Sequence, residues 1–159
     1  MKRKFKIIFS AEQKGGFDIF LPVIKRIQNN KKIDVFLFLD NKKIYEFAKK
    51  QKIECNLLAN TSQKKINGIV KKINPDIVFT DTNDTDFDFS IDKKFIKVAK
   101  KINKKTVSII DFWSNYKERF GKKLEYLPDT ILVIDEEMKK HLNLVGIKSD
   151  IIIVTGSPR

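Results

Sequence analysis

Val35-Phe36-Leu37-Phe38-Leu39 decides the fold: five apolar residues in unbroken succession, preceded by Ile33-Asp34 and closed by Asp40. A strand with one wet face alternates apolar and polar side chains, whereas an unbroken run marks a strand covered on both sides, as in parallel sheets. Working outward, short strand-like runs recur at residues 5–9, 33–39, 53–57, 77–80, 106–110, 130–134 and 151–154. The segments between them carry helical spacing instead: Phe17, Phe20, Leu21, Ile24 and Ile27; Ile44, Phe47 and Ala48; Ile66, Ile69, Val70 and Ile73; Phe95, Val98, Ala99 and Ile102; Met138, Leu142 and Val145. Asp18 reads as a cap of the first helix, with Pro22 tolerable near its first turns. Thr61 or Ser62 opens the third helix, Asn74-Pro75 stops it, and Gly146 suits the end of the last one. Strands alternating with helices imply parallel pairing through right-handed crossovers. The expected fold is therefore α/β: a Rossmann-like open parallel sheet of about seven strands with helices on both faces.

The chain of 159 residues suits one domain, 1–159, and its 42% apolar fraction excludes a disordered polymer. A single cysteine, Cys55, cannot form an internal disulfide, and reads as a small core residue of a cytoplasmic protein. No apolar stretch approaches the ~20 residues of a membrane span, so at most peripheral membrane contact is expected. The start Met1-Lys2-Arg3-Lys4 imitates the basic end of a signal peptide, but Lys6 breaks the apolar part and Glu12 and Lys14 come soon after it, so no export segment is expected. The net charge is +13, yet only four of the 33 basic residues are arginine. Arginine supplies bidentate contacts to bases and phosphates, so no specific nucleic acid partner is expected. Lysine dyads seven residues apart (Lys42-Lys43 with Lys49-Lys50, Lys64-Lys65 with Lys71-Lys72, Lys93-Lys94 with Lys100-Lys101) read as solvated helix faces whose charge is spread around the molecule.

In an open parallel sheet, ligands bind beyond the carboxyl ends of the strands, where strand order reverses. Four strands end at an aspartate: Asp40, Asp81, Asp111 and Asp135. Helix capping explains Asp40 and Asp135 well, and Asp81 and Asp111 less well, because long connections come after them. Asp84, Asp86, Asp88 and Asp92 add to the acidity, so residues 81–159 carry net +2 against +11 for residues 1–80. An EF-hand spacing fails at Asp84, and no metal is expected. The first-strand loop places Gly15-Gly16 at the entry to a helix, where glycine lets a ligand approach the backbone and the helix dipole favours an anion. A plain turn explains the pair as readily. It is neither G-x-G-x-x-G nor a Walker loop, and no cofactor is implied. Asp111-Phe112-Trp113-Ser114-Asn115-Tyr116-Lys117-Glu118-Arg119-Phe120 occupies a connection longer than a compact fold needs. Aromatic faces beside carboxylates and amides suit a sugar ring, while the plainer reading folds Phe112, Trp113 and Phe120 back on the sheet. His141 lies among apolar helix positions without a nucleophile partner, which sets hydrolytic chemistry aside.

Several of these residues resemble the N-terminal half of a GT-B-fold glycosyltransferase or a UDP-N-acetylglucosamine 2-epimerase. They are the Gly-Gly loop with Leu21-Pro22-Val23-Ile24, and Val78-Phe79-Thr80-Asp81-Thr82-Asn83-Asp84-Thr85, similar to the epimerases' Gly-Asp-Thr loop with Thr80 in place of glycine. Ser108-Ile109-Ile110-Asp111-Phe112-Trp113-Ser114-Asn115-Tyr116 with Arg119-Phe120 is similar to a bacterial surface-polysaccharide subgroup, and Val154-Thr155-Gly156-Ser157-Pro158-Arg159 to the turn into a second domain. The epimerases' basic and histidine positions after the fifth strand have no counterpart. The resemblance implies the acceptor-side half of a sugar-transferring or sugar-nucleotide-processing protein in surface polysaccharide or lipopolysaccharide biosynthesis. It implies a sugar or nucleotide-sugar ligand, with the nucleotide-sugar domain supplied by a longer frame, a second-domain chain or a homodimer. Without that domain catalysis is incomplete, and a non-catalytic binding or assembly module is the alternative. The implied roles are a hydroxyl-orienting or deprotonating carboxylate at Asp81 or Asp111, ring stacking at Trp113 and Tyr116, an anion contact at Arg119, and further substrate contacts at Gly15, Gly16, Thr82 and Asn115.

Overall fold

The computed structural model describes residues 3–158, so Met1, Lys2 and Arg159 of the terminal motifs lie outside the described residues. Seven parallel strands form one sheet in the order β3-β2-β1-β4-β5-β6-β7. They are β1 (Phe5–Ala11), β2 (Ile33–Leu39), β3 (Asn56–Leu57), β4 (Ile77–Thr80), β5 (Lys105–Ile109), β6 (Thr130–Val133) and β7 (Ile152–Val154). The intervening helices are α1 (Lys14–Ile27), α2 (Lys42–Lys50), α3 (Gln63–Ile73), α4 (Ile91–Lys101) and α5 (Glu136–Leu144). Strand order reverses between β1 and β4, which places a crevice beyond their carboxyl ends.

Alternation along each strand serves two cores. Phe9, Ala11, Leu37 and Leu39 pack with α1 and α2, while Ile8, Phe38 and Val78 pack with α3 and α4 on the opposite face. The unbroken run in β2 is thus read by both layers. A third cluster seats Met138 and Leu142 of α5 against Ile131, Val133 and Ile152.

Several local expectations are corrected. The third strand is two residues rather than the span 53–57, because Lys52 enters the left-handed region (φ 59°) and the Ile53 N–H closes back on the Ala48 carbonyl. Cys55 is nonetheless buried there. Asp18 is no cap: α1 begins four residues earlier, and Asp18 pairs with Lys14 at 2.6 Å. Pro22 therefore stands mid-helix, where the buried stripe Phe17, Phe20 and Ile24 holds the helix through the missing N–H. Asn41 rather than Asp40 caps α2, whereas Asp135 caps α5 through the Met138 N–H. Gly146, at φ 94°, ends α5 in the left-handed region as its position suggested.

The lysines are not evenly spread. Each of the first four helices ends in a basic dyad: Lys25-Arg26, Lys49-Lys50, Lys71-Lys72 and Lys100-Lys101. All strands run parallel, so all helices return the other way, and these four ends converge on the sheet's amino-terminal edge. Nor are Lys93 and Lys94 solvated. Both are almost fully buried in the first turn of α4. The Lys93 Nζ donates to the carbonyls of Thr85 and Glu118, and Lys94 to those of Thr61 (3.1 Å) and Asp88 (2.6 Å).

Candidate functional site

Buried hydroxyls cross the carboxyl ends of three adjacent strands: Ser10 in β1, Thr80 in β4 and Ser108 in β5. Thr80 and Ser108 share a 2.7 Å hydrogen bond, and the Ser10 hydroxyl donates to Asp92 at the start of α4. Just beyond this row, Glu12, Asp81 and Asp92 come together in the reversal crevice. Glu12 accepts from the Ser90 hydroxyl at 2.6 Å and the Asp92 N–H at 3.0 Å. Asp81 and Asp92 are both almost wholly inaccessible, and each carries one oxygen, Oδ1 and Oδ2 respectively, without a hydrogen-bond donor. The two side chains are hydrogen-bonded to each other, which requires one of the two carboxyls to hold a proton.

The electrostatics agree with that reading. Burial pushes the Asp81 carboxyl up to about 7, opposed by its hydrogen bond with Asp92 and reinforced by the charges of Glu12 and Asp111. Asp92 is held well above the ordinary carboxylate range, first by burial and then by Asp81. Burial also raises Glu12, against its hydrogen bonds from the Asp92 backbone and Ser90. Asp81 and Asp92 titrate as a pair.

The glycine pair has a geometric reason that differs from ligand access. A Cβ on Gly16 would stand 1.9 Å from Asp81 Oδ2, and one on Gly15 2.2 Å from Asp111 Oδ2. The first turn of α1 is thus approached by the protein's own carboxylates, and the Gln13 N–H donates to Asp81. Gly15, Gly16, Asp81 and Asp111 are brought together.

Arg119 lies in a 3₁₀ turn, Glu118–Phe120, and is itself almost buried. Its Nε donates to the Ser114 carbonyl at 2.9 Å, while Nη1 reaches the Thr82 carbonyl at 2.7 Å, the Thr82 hydroxyl at 3.0 Å and Asp111 Oδ1 at 3.3 Å. Thr82 in turn donates to the Ile109 carbonyl at 3.1 Å. Arg119 therefore fastens the loop after β4 to the loop after β5, and the anion it meets here is Asp111.

The other expected residues form an outer rim. Trp113 donates from Nε1 to Asp135 at 3.0 Å and leaves its ring 44% exposed beside Phe112, so these two aromatics do not fold back on the sheet, whereas Phe120 does. Asn115, at φ 53°, donates to Asp84 at 2.8 Å. The Tyr116 hydroxyl lies 3.5 Å from His141 Nδ1, with its ring on the α5 core. Among the described residues, no cluster of three or more His, Cys, Asp or Glu side chains is arranged to hold a metal ion. No described helix is long and apolar enough to cross a membrane.

Sequence reading missed Glu12, Ser90 and Asp92 as members of the cluster. A signal existed for one of them, since Glu12 is the only carboxylate between the first apolar run and the Gly-Gly pair. Asp92 offered none, being one of several acidic residues before a helix.

In fold this architecture is similar to the Rossmann-like N-terminal half of GT-B proteins. Three solved structures show the likeness. The UDP-GlcNAc 2-epimerase from Methanocaldococcus jannaschii superposes with a TM-score of 0.73 at 16% identity, over 96% of this chain and 46% of that one. A glycosyltransferase from Rickettsia africae gives 0.75 at 19% identity, over 98% and 43%. MurG from Acinetobacter baumannii gives 0.65 at 13%, over 98% and 46%. The chain thus spans about half the length of these proteins. No family model and no curated protein sequence matches it.

Proposed function

We propose that this chain is the acceptor-side half of a sugar-transferring or sugar-nucleotide-processing GT-B protein acting in surface polysaccharide or lipopolysaccharide biosynthesis. The observation that carries this reading is the buried Asp81–Asp92–Glu12 cluster at the strand-order reversal, with Asp111 beside it. A carboxyl held near neutrality is suited to accept a proton from a sugar hydroxyl or return one. In this reading Asp81 is the proton-handling group and Asp111 orients a hydroxyl. Thr82 and Arg119 hold both loops in register, Trp113 and Tyr116 present ring faces, and Asn115 with the Gly15-Gly16 turn lines the approach. The ligand is a nucleotide-sugar; the epimerase from Neisseria meningitidis, of the same fold, was solved bound to UDP-GlcNAc. Coverage of under half of each similar structure supports a requirement for a second half, carried by a longer frame, a separate chain or a second copy.

Calorimetric titration with UDP-, GDP- and CDP-sugars tests the half-site. The expected result is millimolar affinity or weaker for the 159-residue chain, a ceiling of about −4 kcal/mol, because an acidic mouth repels a diphosphate. Turnover should appear only when a second half is supplied and should be lost in Asp81→Asn. Micromolar affinity for the chain alone would show a complete site and overturn the half-enzyme reading. One observation favours a non-catalytic binding module instead: Asp81 and Asp111 already fill the α1 amino terminus, where a ligand anion would sit. Sugar binding unaffected by Asp81→Asn would support that module.

A further inference from the structure

The amino-terminal edge of the sheet, opposite the carboxylate crevice, is a concentrated basic face. The four helix-terminal dyads converge there, and the adjoining turns add Lys31, Lys32, Lys52 and Lys104, with Lys105 at the start of β5. Lysine at a helix carboxyl end has a local reason, since it complements the helix dipole. The parallel topology then sums four such ends on one side. Compensation is sparse: Asp34 pairs with Lys4 at 2.9 Å, Asp76 with Arg3, and Asp129 with Lys100 at 3.9 Å. Glu54 and Asp150 are the other carboxylates in these turns. The crevice edge, by contrast, offsets Lys42-Lys43, Lys64-Lys65 and the buried Lys93-Lys94 with Asp40 and the aspartates of the 81–92 loop. The molecule is strongly polarised along its strands.

We propose that this edge docks on the anionic surface of a lipid bilayer. Three features favour that occupant over nucleic acid. Seven strands about 4.8 Å apart make the edge about 30 Å wide, broad enough for a bilayer surface. Its cations are lysines apart from Arg3 and Arg26, and lysine is a point charge suited to diffuse attraction rather than bidentate reading of bases. Two apolar side chains stand out of the charge, Phe5 between Lys4 and Lys6 at 43% exposure and Leu144 at the end of α5 at 82%. Isolated apolar side chains within a basic surface suit the headgroup boundary, whereas single-stranded nucleic acid needs a row of aromatics. Docked in this way, the chain holds its crevice a strand length away from the lipid, open to water. The proposal does not depend on the function proposed above.

Cosedimentation with vesicles of phosphatidylcholine, with and without phosphatidylglycerol, tests it at physiological salt. Helices α2 and α3 supply an internal control because each carries a dyad at both ends. The variant Lys49→Glu, Lys50→Glu, Lys71→Glu, Lys72→Glu reverses charge on the basic edge. The variant Lys42→Glu, Lys43→Glu, Lys64→Glu, Lys65→Glu makes the same net change at the crevice end. The wild type should bind only the anionic vesicles. The first variant should lose at least a hundredfold in partition, from roughly fivefold per lysine, and the second should keep most of it, with circular dichroism and Tm confirming that both fold. Equal losses in the two variants would show net charge alone at work and overturn the proposal, as would failure of the wild type to bind anionic vesicles. Tighter binding to DNA or RNA than to vesicles, abolished by the first variant, would assign the edge to nucleic acid instead.

Discussion

Replacing Asp81 by asparagine should make the protein more stable at neutral and alkaline pH. In the folded chain the carboxyl sits at about 7, against an ordinary value of 3.8. Below pH 4 both folded and unfolded chains hold the proton, and no stability is lost. As pH rises through 4 to 7 the unfolded chain ionises while the folded chain does not, so stability falls at up to about 1.36 kcal/mol per pH unit. The full difference is about 4 kcal/mol at pH 8, a ceiling shared with Asp92, whose carboxyl is also raised by burial and by Asp81. Asparagine removes the titration at this position, and its amide can take over the hydrogen bond that the Asp81 side chain makes with Asp92. Urea unfolding at pH 5 and pH 8, followed by circular dichroism and Trp113 fluorescence, reads the effect. The wild type should weaken markedly between the two pH values. Asp81→Asn should weaken less and exceed the wild type at pH 8 by up to about 4 kcal/mol, or roughly 10 °C in Tm for a chain of this size. Parallel pH profiles for the two proteins, or equal destabilisation of the variant at both, would refute the account of a protonated Asp81–Asp92 pair. A variant that is stabilised yet loses turnover in the completed enzyme would mark Asp81 as held under strain for function.

Other outcomes rest on the same geometry. Gly16→Ala should destabilise by about 1–3 kcal/mol in urea unfolding, because its Cβ would stand 1.9 Å from Asp81 Oδ2. Gly68→Ala, in α3 with nothing within 4 Å of the added carbon, should stabilise by about 0.5–1 kcal/mol in thermal melts. Lys93→Met should cost about 2–5 kcal/mol in urea unfolding, since the Thr85 and Glu118 carbonyls both lose a buried donor. Trp113→Leu should leave urea stability within about 1 kcal/mol, the ring being half-exposed, while weakening sugar binding in calorimetry. Unchanged binding would take Trp113 off the site.

What the sequence determined by itself is the layered fold. Runs such as Val35-Phe36-Leu37-Phe38-Leu39 and the stripes at Ile66, Ile69, Val70 and Ile73 are local patterns, and period alone separates a strand buried on both faces from a one-sided helix. Strand ends were legible for the same reason, so Asp81 and Asp111 could be placed on the crevice edge, with Gly15-Gly16 opposite them. Only the tertiary structure decided how those groups meet. That Gly16 leaves room for Asp81, that Arg119 is spent on Thr82 and Asp111, and that Asp92 is hydrogen-bonded to Asp81 are contacts between separate loops and helix ends. Nothing in the neighbouring sequence of any of them encodes the partner. The lysines teach the converse: dyads at Lys71-Lys72 and Lys93-Lys94 are identical as text. The first ends a helix at an edge where water is free to solvate it, while the second begins one beneath three loops whose carbonyls need donors. Sequence period sets which face of a helix is wet, but the chain folded over its end decides whether a charge there meets water or backbone.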